Sequence, residues 1–176
     1  ISVNVESVAM KKKHFIDSHK GATPIAVLSL MAIYGSWDNL TAWIYLATHG
    51  TYGLLWVLKS LSFPDKQWEE ECGPGFGLYA WLGLTLYWIT PWLIVHWNIQ
   101  TPPWLMALAV SMFGVGVFLH FAADMQKHTA LALRPGLITT GLWARCRNPN
   151  YFGELLIYVS FALLAERWAW GSLAIL

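Results

Sequence analysis

The chain has 176 residues, of which 56% are hydrophobic and 12% charged, and a net charge of +1. Such a composition excludes an ordinary soluble protein and reads as an integral membrane protein of one domain, residues 1–176. The balanced charge excludes a nucleic-acid surface, which needs a concentrated basic face; Cys72 and Cys146 form neither a paired metal-ligand motif nor a disulfide framework.

At the N-terminus ISVNVESVAM precedes KKKHF, the reverse of the basic-then-apolar order of a signal peptide. Ile1 in place of methionine, and the apolar ending WGSLAIL, predict a chain cut at both ends. A helix needs about 20 apolar residues to cross the hydrocarbon core. Runs approaching that length fall at 22–36 (short), 40–58, 76–97, 103–123 and 151–170. Pro91 predicts a kink in the third, and Pro102 and Pro103 suit the start of the fourth. The sequence therefore predicts an all-α, polytopic transmembrane bundle of about five spans.

With five spans, Lys11, Lys12, Lys13, Lys20, Lys59, Lys66, Lys127, Arg134, Arg145 and Arg147 fall on one side and only Arg167 on the other. By the positive-inside rule the N-terminus is cytoplasmic. The same rule places Trp37, Trp43, Trp56, Trp97, Trp104, Trp168 and Trp170 in the headgroup layers at span ends. Glu69, Glu70 and Glu71 read as a solvated loop run, and Asn39-Leu40-Thr41 matches a glycosylation sequon but abuts a span. The membrane is the endoplasmic reticulum in a eukaryote or the inner membrane in a bacterium.

The fourth span ends in HFAADMQKH, with His120, Asp124, Lys127 and His128 at helical spacings of three and four. An interfacial Asp124–Lys127 pair that ends the span is one reading, and a metal held by His120, Asp124 and His128 another, although no further ligand set accompanies them. After Arg134, Gly136, Gly141, Trp143 and Arg145, RNPNYFGE opens the last span. Asn148 or a neighbour caps that helix, Pro149 starts it, and Asn150, Tyr151, Glu154 and Tyr158 share a face. A carboxylate one turn into a span is costly without a partner or a watered cavity, so Glu154 speaks against a mere anchor. The glycines admit close backbone approach and the arginines, Arg134 included, offer forks for phosphate or carboxylate, so residues 120–176 read as a half that binds an anionic cofactor.

ADMQKH at 123–128 and LITTGLWARCRNPNYFGE at 137–154 resemble the C-terminal half of the steroid 5α-reductase-like membrane proteins, including the DUF1295 family. The related sterol reductases and the isoprenylcysteine and phospholipid methyltransferases share a similar signature. The reductase resemblance implies NADPH in a cytoplasm-facing pocket, at Asp124, Gln126, Lys127, Gly141, Trp143, Arg147, Asn150, Tyr151 and Glu154. It also implies reduction of a lipid or steroid-like C=C bond, with Tyr151, Tyr158 or Glu154 donating or relaying the proton. The methyltransferase resemblance implies S-adenosylmethionine instead, and a non-catalytic membrane protein of the same fold is a third reading. In each case the partners are membrane lipids and a lipid-like small molecule. This chain departs from the pattern at Asn148, where the family often has histidine, and at Ala130-Leu131, where the reductases commonly carry an aromatic-arginine pair.

Overall fold

The polar residues before the first apolar run belong to the first helix. In the computed structural model, which describes residues 10–175, α1 runs Lys12–Tyr34, ten residues upstream of the expected start. The termini read as cut lie outside the described residues. A helix at a membrane boundary extends past its apolar stretch wherever polar side chains find partners, and hydropathy alone misses that extension. Here the partners are acidic: β1 (Met10–Lys11) pairs antiparallel with β2 (Glu71–Cys72), and Lys11 and Lys13 bind Glu69 while Lys12 binds Glu70. Within the expected solvated run, Glu69 and Glu70 are thus ion-paired to the N-terminal lysines, while Glu70 and Glu71 stay exposed. The hydrogen bonds from Lys11 and Lys13 hold the Glu69 carboxyl below its ordinary pKa.

The second stretch is α2 (Leu40–Tyr45), one π-helical turn at Leu46–Gly50, and α3 (Thr51–Ser62). Asn39 caps it by accepting the Ala42 N–H at 3.0 Å, while its amide donates to Asn98 Oδ1 and Ile99 O. Buried and fully engaged, this side chain is no surface sugar acceptor.

α4 (Pro74–Thr85) and α5 (Ile89–His96) are joined through a 3₁₀ turn at Leu86–Trp88. The expected break therefore exists, one turn before Pro91, where proline's missing N–H and its ring disrupt the preceding helical bonds. α6 (Pro103–Leu133) starts at its proline as expected but continues ten residues past the apolar run. α7 (Pro149–Leu163) also starts at its proline, but it ends before 170. The chain turns at Ala165–Trp168, with Glu166 at φ 48°, and resumes as α8 (Ala169–Ile175).

Pro74–His96 and Pro103–Leu133 are the two helical stretches among the described residues long and apolar enough to cross a membrane. Leu54, Leu82 and Phe118 illustrate how many large apolar side chains point outward, each more than half exposed. Inside, α6 packs principally on α7, and α1 on α3 and α4. The α6–α7 crossing is close because it is built on glycine. A Cβ at Gly153 would lie 2.5 Å from the His120 backbone nitrogen, and one at Gly116 would lie 2.7 Å from Gly153 O.

The start of α1, the end of α3, the 63–73 loop, the end of α6 and residues 134–148 gather at one end of the bundle. The opposite end is closed by Asn39 on Asn98 and by Thr101 donating to Leu164 O. Trp97 stacks on Trp168 there, whereas Trp56, expected at a span end, is buried in the core and donates to Asp17.

Candidate functional site

Residues 134–148 are fixed to the end of α6 by side-chain-to-backbone bonds. Gln126 donates to Thr140 O at 2.8 Å and accepts the Leu142 N–H at 3.1 Å. Gly141, at φ 59°, is required twice: its conformation favours glycine, and a Cβ would lie 2.4 Å from Gln126 Nε2. Trp143 Nε1 donates to Ala123 O at 3.2 Å. Between this segment and α6 lies a groove of about 800 Å³, lined by Lys127, Trp143, Arg145, Arg147 and Asn148 among others. Asn148 occupies the N-cap position without a side-chain capping bond, contrary to the expected cap, and lines the groove instead.

Beneath the groove a buried polar network crosses from α7 to α6 and α3. Asn150 Nδ2 donates to Asp124 Oδ1 at 2.9 Å, and Lys59 Nζ meets Asp124 Oδ2 at 2.8 Å. Lys59 also binds Asp65, which lies 3.7 Å from Lys127. Burial pulls the Lys59 ammonium down, but the carboxylates of Asp124 and Asp65 outweigh it and hold its pKa above the ordinary value. Asp124 therefore pairs with Lys59 of another helix, not with Lys127. His120 Nδ1 lies 3.1 Å from Asn150 O. Among the described residues, His120 Nε2 and Asn150 Oδ1 are buried without hydrogen-bond partners.

One turn further along α7, Glu154 Oε1 accepts from Tyr158 at 2.6 Å and from Tyr52 of α3 at 3.3 Å. The expected face thus divides. Asn150, Glu154 and Tyr158 turn toward the bundle, whereas Tyr151 is 61% exposed and makes no side-chain hydrogen bond among the described residues. Arg134 is exposed at the end of α6, outside the groove lining. His120 and Asp124 point inward, while His128 lines a separate hollow with the 64–70 segment, so these three do not converge. Among the described residues no three His, Cys, Asp or Glu side chains form a metal-binding group.

Residues 75–176, more than half of the chain, match the family described as "Protein of unknown function (DUF1295)". The chain belongs to the DUF1295 family. No curated protein and no solved structure matches it. The DUF1295 segment contains α4 to α7, and so the groove, Asp124, Asn150, Glu154 and Tyr158. Upstream of it, α1 and α3 contribute Lys20, Tyr52 and Lys59, which sequence reasoning missed. The available signal was the spacing of Tyr52, Trp56 and Lys59 by four and three, one helical face carrying a phenol, an indole and an ammonium.

The residues present fit a polyanionic nucleotide. Lys127 of α6 and, facing it, Arg145 and Arg147 offer three cations to the groove, and Trp143 an aromatic ring.

Proposed function

We propose that this protein is a multi-pass membrane reductase that uses NADPH to saturate a lipid or steroid-like C=C bond. The observation that carries this reading is the groove lined by Lys127, Arg145 and Arg147 at the head of α7, the helix that also bears Asn150, Glu154 and Tyr158. A reductase needs a polyphosphate site and a proton source, and the cations of the groove and the Glu154–Tyr158 pair support those two roles. S-adenosylmethionine, the alternative, has no phosphate and carries a positive sulfonium, which three nearby cations disfavour.

In this reading Lys127, Arg145 and Arg147 neutralise the phosphates, and Asn150 Oδ1 accepts from an amide N–H. Asp124, itself held by Lys59 and Asn150, fixes the groove's inner wall. NADPH bound there supplies a hydride. The Tyr158–Glu154 pair holds the proton that completes the reduction, and Tyr52 orients the carboxylate from the other side. Five helical stretches then cross the bilayer, with the cationic end and the N-terminus in the cytoplasm. The gathering of ten of the eleven lysines and arginines on one side supports that orientation.

The test is thermal stability in detergent with NADPH, NADH and S-adenosylmethionine. NADPH at about 100 times its Kd should stabilise by about 2.7 kcal/mol. Arg147→Ala should weaken that binding by about 1.5–3 kcal/mol, the worth of a charge-assisted hydrogen bond. Stabilisation by S-adenosylmethionine and not by NADPH would overturn the proposal.

A further inference from the structure

Tyr151 is exposed on α7 and takes no part in the hydrogen-bonded network behind it. Phe152 and Leu155 lie beside it, 50% and 51% exposed, at the one- and four-residue spacings of a single helical face. Just before this helix, Arg145 and Arg147 are exposed and line the groove. Between Asp124 and Glu154 the chain holds Lys127, Arg134, Arg145 and Arg147 and no carboxylate. Among the described residues Arg134, Arg145 and Arg147 form no ion pair, whereas Lys11, Lys12, Lys13 and Lys59 of the same end each bind a carboxylate. Uncompensated positive charge therefore gathers ahead of α7.

Hydrogen bonds fix the depth of this charge. The apolar run 103–123 of α6 is about 31 Å long at 1.5 Å per residue, the thickness of a hydrocarbon core, so Ala123 marks the core's edge. Trp143 Nε1 donates to Ala123 O, and the Leu142 N–H donates to Gln126, three residues further out. Arg145 and Arg147 follow directly and lie level with the headgroups. From there α7 runs inward along α6, with Asn150 bonded to Asp124 and Ile157 against Gly116. Tyr151, Phe152 and Leu155 thus descend from the headgroups toward the acyl chains.

We infer that this outer face of α7 holds one anionic phospholipid of the cytoplasmic leaflet. Its phosphate meets the guanidinium groups of Arg145 and Arg147 at the mouth of the groove. The Tyr151 hydroxyl donates to its glycerol ester region, and an acyl chain lies along Phe152 and Leu155. Charge and depth together select this occupant. Guanidinium forks match a phosphate, a phenol suits the boundary layer, and the apolar side chains below it face hydrocarbon. A free phosphate satisfies the first of these contacts and neither of the others. The inference rests on the membrane placement proposed above and not on the reductase chemistry. Because a nucleotide draws on the same two arginines, the lipid is tested with no nucleotide present.

The experiment is native mass spectrometry of the detergent-solubilised full chain, titrated with phosphatidylglycerol or phosphatidylcholine of identical acyl chains. One phosphatidylglycerol should be retained in preference. Arg145→Gln and Arg147→Gln should each lower that preference about 5-fold, the worth of one arginine at an anionic surface. Arg134→Gln removes the same charge outside the groove lining and should leave the preference unchanged. Phe152→Ala combined with Leu155→Ala should weaken retention of phosphatidylglycerol, and glycerophosphoglycerol, the same headgroup without chains, should not displace it. All five positions are exposed, so these variants change the site without disturbing the packing behind it. Equal retention of the two lipids, an equal loss in Arg134→Gln, or displacement by the chainless headgroup overturns the assignment. NADPH binding to the same protein is a separate result: a lipid preference without NADPH binding leaves the lipid site standing and removes the cofactor reading, and the reverse outcome removes the lipid site alone.

Discussion

Lys59 and Asp124 meet at side-chain exposures of 3% and 4%, so neither can be rescued by water if the other is removed. Breaking a buried pair from one side costs about 3–5 kcal/mol, because the remaining charge is left uncompensated. Lys59→Met should lower unfolding stability in detergent by an amount of that order. Lys59→Met combined with Asp124→Leu should cost less than the sum of the two single changes. A loss below about 1 kcal/mol for Lys59→Met, typical of an exposed pair, would show that the network is solvated. The raised Lys59 pKa fixes the sign of its pH dependence. Its contribution is fully present below the unfolded lysine pKa and fades only as pH rises through the higher folded value, so the pair stays intact at neutral pH.

At the scale of elements, the α6–α7 pair is both the tightest crossing and the frame of the site. Gly153 lies between Asn150 and Glu154, so separating these helices shifts both polar residues relative to Asp124. Gly153→Ala would insert a methyl group 2.5 Å from the His120 backbone nitrogen and should cost about 1–3 kcal/mol by overpacking. Gly114→Ala, on the partner helix α6 with nothing within 4 Å, should be neutral or slightly stabilising. Equal stabilities for the two variants would contradict the close crossing. Much of this frame was legible in the sequence. Pro103 and Pro149 marked two helix starts, Pro91 a kink, and RNPNYFGE the polar head of α7. The polar ends of α1 and α6 were not legible by hydropathy, because their lysines are sustained by tertiary partners such as Glu69 and Asp65. The 164–168 turn was missed for a different reason. Its residues read as part of an apolar run, and only the backbone shows Glu166 at positive φ.

Across the whole molecule, the site joins residues remote in sequence. Tyr52 and Glu154 are 102 positions apart, and no local motif announces such a pairing. RNPNYFGE carries Asn150 and Glu154, and Tyr158 follows on α7, whereas Tyr52, which reaches Glu154, and Lys59, which reaches Asn150 through Asp124, come from α3. Those helices also bring the cations to one end, so cofactor side and membrane orientation are parts of one claim. The most direct test uses membrane vesicles of both orientations given NADPH deuterated at the nicotinamide C4 hydride position, a molecule that does not cross bilayers. Deuterium should enter a lipid product in inside-out vesicles and not in sealed right-side-out ones, and the transfer should fall by about 10²–10⁴-fold in Tyr158→Phe if that hydroxyl supplies the proton. No deuterium in lipid from either orientation, with methyl transfer from labelled S-adenosylmethionine in its place, would contradict the account.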